Sequence, residues 1–374
     1  MSAHDDAIPS PADRPAGARR WLAAHRLADQ TAGRENNVLA IRLTAASIVI
    51  LFHCYALTDR WLEEPLHAAF PPMNLAVLGV GTFFVLSGFL VTQSWFARPV
   101  LRSYLAARVL RIYPALIAAT IFTMLVAGAT GALPWRDYLT SPVTWRYFIR
   151  TASGYDVVDA LPGAFANNPF PSAANGSLWT LPVELRLYAA LALAGVAGAL
   201  ARPRVLVPAA LVVVGVAVAW PQIVPLEPNT PVTRTLALLF LLGSLACVGQ
   251  RHVPLSLPCA ALAVAIPLFD PFEAARSGPL NALLLSYVVL VIAYHPALRV
   301  RAISRAPDYS YGLYVYAFPI QQAIVWAHRE ITPGALFAGA LAASLVVAAI
   351  SWHLLEAPML RLKSRFRPPA HHAS

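Results

Sequence analysis

The chain is short of charge, of lysine and of cysteine. Only 12% of its 374 residues are charged, against about 25% in an average soluble domain. Half the charge needed to coat a water-facing surface is therefore missing, which excludes a soluble globular protein. Lysine occurs once, at Lys363, beside 27 arginines. The three cysteines, Cys54, Cys247 and Cys259, form no CxxC and no even-numbered framework. That argues against a disulfide scaffold and against a zinc site, and no metal is expected. Residues 1–37 lack the apolar region and small-residue cleavage site of a signal peptide. No internal repeat relates the two halves, and 32 prolines with 19 glycines exclude one continuous coiled coil.

What the chain has is apolar length. Hydrophobic residues make up 58% of it and the mean hydropathy is +0.59. Ten apolar windows of spanning or near-spanning length run 38–57, 75–95, 112–131, 178–200, 205–221, 235–249, 253–269, 279–295, 310–327 and 333–356. The expected fold is an all-α polytopic membrane helix bundle of about ten transmembrane helices. It divides into a mobile tail (1–37), a membrane domain (38–360) with one long outer loop (132–177), and a basic tail (361–374). Counted on alternate sides of the windows, nineteen of the 28 basic residues fall on the side of both termini and seven on the other, with Arg42 and Arg186 inside windows. By the positive-inside rule both termini are cytoplasmic. The net charge of +10 and pI near 9.9 would also fit nucleic acid. The arginines are spread over every inner connection, however, so they read as topology determinants and no nucleic-acid partner is expected. The loop 132–177 carries aromatics from Trp135 to Phe170, with Asn167, Asn168 and Asn175. These fit either a sugar-binding platform or an interfacial aromatic belt with a packed lid.

Ionisable groups inside a bilayer cost a few kcal/mol each and mark functional candidates. Arg42 and His53 lie in the first window, Glu184 and Arg186 in the fourth, and Glu356 at the end of the tenth. Eleven helical residues return to within about 20° of the same face, so Arg42 and His53 share a side of their helix, ~16 Å apart. Counted as perpendicular spans, His53 lies ~22 Å from the inner end and Glu184 ~9 Å from the outer end, at nearly one depth. A histidine beside a carboxylate can act as an oriented general base, and the same pair can be a simple interhelical hydrogen bond. Arg108 and Arg111 form an RxxR pair whose guanidiniums point together. They suit the bidentate capture of phosphate, and equally suit anchoring at the inner surface. Glu356 comes near that surface, where it can bind a polar ligand or pair with an arginine. Ser87, among the small residues of the second window, reads as a packing or ligand-contact serine, because its segment holds no base.

Six motifs in order resemble those of the acyltransferase-3 family of bacterial integral-membrane O-acyltransferases, which modify surface and exported glycans. They are Arg42-x10-His53, GTFFVLSGFLV (81–91), RVLRIYP (108–114), NGSLWTLPVELRLY (175–188), DYSYGLYVYAFPIQQ (308–322) and LLEAP (354–358). The resemblance covers about residues 36–360. It implies that His53 is the essential histidine, Arg42 its partner arginine, and Arg108 and Arg111 the pair associated with acyl-CoA. Glu356 matches the family's late glutamate, and Glu184 lies in its Ser-Leu-Trp…Glu element. Many relatives carry an acid just before the FFVLSG core, where this chain has Thr82. Larger relatives add a span and an extracytoplasmic hydrolase-like domain, whereas this chain ends at Ser374, so donor and acceptor are expected to meet within the membrane domain.

The implied activity is transfer of an acyl group, acetyl by family frequency, from cytoplasmic acyl-CoA to a hydroxyl of a cell-surface or lipid-linked glycan at a bacterial inner membrane. Acetyl-CoA is then a donor substrate, no cofactor is permanently bound, and the bilayer is the other partner; no feature specifies an oligomeric state. His53 either deprotonates the acceptor directly, with Glu184 orienting it, or first takes the acyl group itself. A transporter or flippase of a lipid-linked sugar is the alternative. It would typically show the pseudo-repeats that this chain lacks.

Overall fold

The computed structural model describes residues 25–366 apart from 32, 34, 158–159, 172, 224–227, 271–277, 301 and 304–305. Tail residues 1–24 and 367–374 lie outside the described residues. Ten principal helices fall on the ten apolar windows: α1 (Val38–Leu57), α2 (Leu75–Ala97), α3 (Leu101–Thr130), α4 (Thr180–Val196), α5 (Pro203–Ala219), α6 (Pro231–Val248), α7 (Leu257–Phe269), α8 (Gly278–Tyr294), α9 (Ser310–Ala327) and α10 (Pro333–Ser351). The only described strands are a two-residue pair, His25–Arg26 against Pro254–Leu255. The fold is all-α. Five helices are long and apolar enough to cross a membrane: α1, α2, α3, α6, and α10 with its continuation to Phe366. That makes the chain a membrane protein. The others are shorter. The 13 residues of α7 reach ~20 Å, less than a ~30 Å hydrocarbon core.

Helix α2 is the buried centre of the bundle, packed against α1, α6 and α8. Its contact with α6 depends on two facing glycines. A Cβ on Gly88 would stand 2.0 Å from the Phe240 carbonyl oxygen, and one on Gly243 would stand 2.2 Å from that of Val85. Small residues let two helices approach to backbone contact where lipid supplies no hydrophobic drive. Ser244 takes up the same contact by donating to the Gly88 carbonyl at 3.2 Å.

The bundle has two distinguishable ends. At the terminal end, Ser103 donates to the Phe366 carbonyl and the Asn37 side chain donates to the carbonyls of Ile292 and Leu298. At the loop end, the segment before α4 is tied to α9. Gln322 donates to the carbonyls of Phe170 and Ala173 at 3.0 and 2.8 Å, and Asn168 donates back to Gln322. Asn175 donates to the Val315 carbonyl at 2.9 Å and to Thr123.

Within the stretch read as a mobile tail, residues 25–31 and 35–37 make contacts with the bundle. Leu27 is fully buried, its amide donates to Val253 and that of Ala28 to Gln250, and Asn37 accepts from the Val300 amide. In the loop 132–177, Tyr138, Tyr147 and Phe165 form a small core of their own, and Asn168 and Asn175 act as straps to the bundle. This is the packed-lid reading for that part of the loop. Phe170 stays half-exposed and lines a cavity.

Candidate active site

Three polar centres lie among the helices. The first is at the loop end. His53, on the last turns of α1, borders a cavity of about 470 Å³ whose walls include Phe52, Trp61, Phe170, Gly176 and Phe318. Among the described residues its imidazole has no hydrogen-bond partner, and it lies edge-on to Phe318 at 5.0 Å and to Phe52 at 5.8 Å between ring centres. Gly176 keeps the wall open, since a Cβ there would come within 2.9 Å of the Phe318 ring. A histidine held by aromatic edges in an open cavity leaves its nitrogens to whatever enters.

The second centre is an ionic network at the terminal end. Asp308, two residues ahead of α9, accepts from Arg111 Nη2 at 2.6 Å and lies 3.4 Å from Arg42 Nε. Arg42 Nε also donates to Ser310 Oγ at 3.1 Å, and Ser310 returns both its hydroxyl and its amide to Asp308 Oδ1. Arg111 Nη1 reaches Glu356 Oε2 at 3.7 Å, and Glu356, 1% exposed, accepts from Ser351 at 3.2 Å. Burial pushes the Asp308 carboxyl up, but the charges of Arg42 and Arg111 and the Ser310 donors outweigh it and hold the carboxyl well below the usual carboxylate range. Glu356 owes its placement to a π-helical turn, Trp352–Glu356, in which the Ala357 amide donates to the Trp352 carbonyl. Pro358, with no N–H, cannot continue the ordinary ladder to Leu354, and the extra residue in the turn relieves that register.

The third centre joins α2, α3 and α4. Glu184 Oε1 accepts from Ser87 at 2.8 Å and from the Tyr188 hydroxyl. The Arg108 guanidinium lies over the rings of Tyr188 and Tyr104, at 5.7 and 5.9 Å, and its Nε is buried without a partner. Tyr188 thus presents its hydroxyl to the carboxylate and its ring face to the cation.

The structure therefore brings Arg42 and Arg111 together through Asp308, with Glu356 joined through Arg111, and Ser87, Glu184 and Arg108 together through Tyr188. It does not pair His53 with Glu184. Depth along the membrane normal set those two level, but depth carries no azimuth, and α4 packs on α2, α3 and α6. Nor does Arg42 touch His53. Thr82, at the position where many relatives have an acid, bonds back to the Leu78 carbonyl at 2.8 Å within its own helix. Asp308, Ser310 and Tyr188 were not singled out from the sequence.

The chain is 26% identical to an O-acetyl transferase of Shigella phage Sf6 over 86% of its own length and 95% of that protein's. It is also 27% identical to nodulation protein 10 of Rhizobium leguminosarum bv. viciae, over 44% of this chain and 45% of that one. No solved structure matches it. The acyltransferase-3 family model, described as an acyltransferase domain, matches residues 36–353 and so takes in His53, all three polar centres but Glu356, and every principal helix. The chain belongs to the acyltransferase-3 family and is a membrane acyltransferase.

Proposed function

We propose that the protein is an O-acetyltransferase of a bacterial cytoplasmic membrane, moving acetyl from cytoplasmic acetyl-CoA to a hydroxyl of a cell-surface or lipid-linked glycan. In this reading the ten helices are ten spans, both termini are cytoplasmic, and the loop end faces out. The observation that carries it is the separation of two chemistries along α1. A cluster of arginines suited to phosphate sits at the terminal end, and at the loop end a histidine without a hydrogen-bond partner among the described residues borders an open cavity. An acyl-CoA has the matching form, with an anionic nucleotide at one end of a long, thin arm and a thioester at the other.

The donor's phosphates approach the RxxR pair, of which Arg111 is held by Asp308 and Glu356 and Arg108 by neither. Its arm runs between the helices over the ~16 Å that separate Arg42 from His53, bringing the thioester to the cavity. There a glycan hydroxyl gives its proton to the neutral imidazole of His53 as its oxygen attacks the thioester carbonyl. The new C–O ester bond forms, the C–S bond breaks, and the CoA thiolate leaves and takes the proton back from the imidazolium. A positioned base of this kind contributes on the order of 10²–10⁴ in rate. The Phe170–Gly176 wall gives the acceptor an aromatic and a flat face to lie against. Glu184, bonded to Ser87 and Tyr188 beside Arg108, belongs with the donor's route rather than with His53. Glu356 braces Arg111 directly, and Asp308 ties it to Arg42.

Sealed vesicles of both orientations test the reading. Labelled acetyl-CoA supplied to inside-out vesicles is expected to label a glycan or lipid fraction, and right-side-out vesicles are expected to give none. Equal labelling from either side would remove the cytoplasmic donor from the account.

A further inference from the structure

The two arginines of the RxxR pair are three residues apart on one helix face, and their neighbours treat them differently. Arg111 is engaged twice, by Asp308 at 2.6 Å and by Glu356 at 3.7 Å, with its guanidinium also over the rings of Tyr311 and Trp352. Arg108 has no carboxylate within ion-pair distance among the described residues, only the faces of Tyr104 and Tyr188 and a buried Nε without an acceptor. Asp308 further draws in Arg42 from α1, and Ser310 locks the arrangement by accepting from Arg42 while donating to Asp308. Two cations, Arg42 and Arg111, thus stand against two carboxylates, Asp308 and Glu356. Arg108 pairs with neither, and shares Tyr188 with a third carboxylate, Glu184, without an ion pair to it among the described residues.

We propose that Asp308 is a positioning residue of the donor site. Its carboxylate fixes Arg42 and Arg111 in one rigid set across α1, α3 and α9, and so leaves Arg108 as the arginine that takes the anionic end of the acyl donor. The inference rests on the acyl-transfer reading. It assigns Asp308 to the donor rather than to the acceptor because Asp308 contacts Arg42, ~16 Å along α1 from the His53 cavity. Without the carboxylate, Arg42 and Arg111 would repel one another and compete with Arg108 for the donor's phosphates in unproductive positions.

The test uses the full chain in inside-out vesicles, with labelled acetyl-CoA varied at saturating acceptor and then the acceptor varied at saturating donor. Asp308→Asn keeps an oxygen able to accept from the Ser310 amide and removes only the charge. Losing a charge-assisted hydrogen bond at this site should raise the donor KM on the order of tenfold, while the acceptor KM stays at the native value. Asp308→Glu, which restores the charge, should recover most of the loss. Ser310→Ala, a milder change, should raise the donor KM by about threefold, and it serves in place of Asp308→Asn if that variant does not accumulate. A native donor KM in both Asp308→Asn and Ser310→Ala overturns the inference. So does a fall in kcat with donor KM unchanged, or Asp308→Glu behaving no better than Asp308→Asn, because either result would mean a merely structural role. Absence of transfer by the native protein removes the reading on which the inference rests, and is distinguished from these outcomes by that control alone.

Discussion

Arg42 and His53 both face α9 from the same helix, and they meet it at its first turn and at its middle. Arg42 Nε donates to Ser310 Oγ at 3.1 Å on the first residue of α9, whereas the His53 ring lies edge-on to Phe318, 5.0 Å away, eight residues later. The R-x10-H element therefore spans the distance between two sites instead of forming one. A substitution at either residue should be read against its own surroundings.

The cavity at His53 is bounded by Gly176, where a Cβ would stand 2.9 Å from the Phe318 ring. Gly176→Val is expected to push that ring into the space the acceptor uses. Steady-state transfer should show the acceptor KM raised and the donor KM unchanged. A rise in both would mean that the cavity is not specific to the acceptor.

Gln322 holds the loop end together through the Phe170 and Ala173 carbonyls and Asn168. Gln322→Leu leaves these groups without their partner, at about 1–3 kcal/mol for each one that stays buried. Limited proteolysis from the loop side should then cut near residues 165–175 faster than in the native protein, with transfer reduced. An unchanged cleavage rate would show that the strap is redundant.

The α2–α6 contact predicts a sharp difference between glycines. Gly88→Ala places a Cβ 2.0 Å from the Phe240 oxygen, and Gly215→Ala on α5 meets nothing within 4 Å. Overpacking typically costs about 1–3 kcal/mol, so Gly88→Ala should lower the thermal midpoint in detergent. Gly215→Ala should leave it unchanged or raise it slightly, by up to about 1 kcal/mol of stabilisation. Equal midpoints would mean that the helices can separate without loss.

Asp308 gives a pH dependence of known sign. Arg42 and Arg111 overcome the effect of burial and hold its folded-state pKa below that of an unfolded aspartate, which is about 3.9. The contribution to stability is therefore complete above that value and is lost as the pH falls through the folded-state pKa. Native protein should lose stability on acidification below about pH 4 more steeply than Asp308→Asn, which carries no titrating group there. Parallel acid profiles for the two would contradict the ion pairing.

Much of this was legible in the sequence. Every apolar window became a helix, because windows of apolar residues leave the backbone no partner but itself in lipid. Helix α3 starts at Leu101, eleven residues before its window, because LRSYLAARVLR is helix-forming although too polar for a hydropathy window. The docking of residues 25–31 and 35–37 was invisible, since its partners, among them Gln250, Val253, Ile292 and Leu298, lie more than 200 residues away and no local pattern encodes them. Asp308 stood inside a quoted motif and was passed over because it lies two residues outside the apolar window, beyond a search for charges within spans. An acid followed at i+2 by serine, just ahead of a span, is the signal that would have found it. The Glu184–His53 pairing failed because helical depth is computable from sequence and helix neighbours are not.

The most direct measurement compares native protein with His53→Ala at matched expression, in inside-out vesicles supplied with labelled acetyl-CoA. The account predicts that label enters a glycan or lipid fraction with the native protein and falls on the order of 10²–10⁴ with His53→Ala, while the amount of folded protein is unchanged. Equal labelling by the two would contradict it, and would take His53 out of the chemistry.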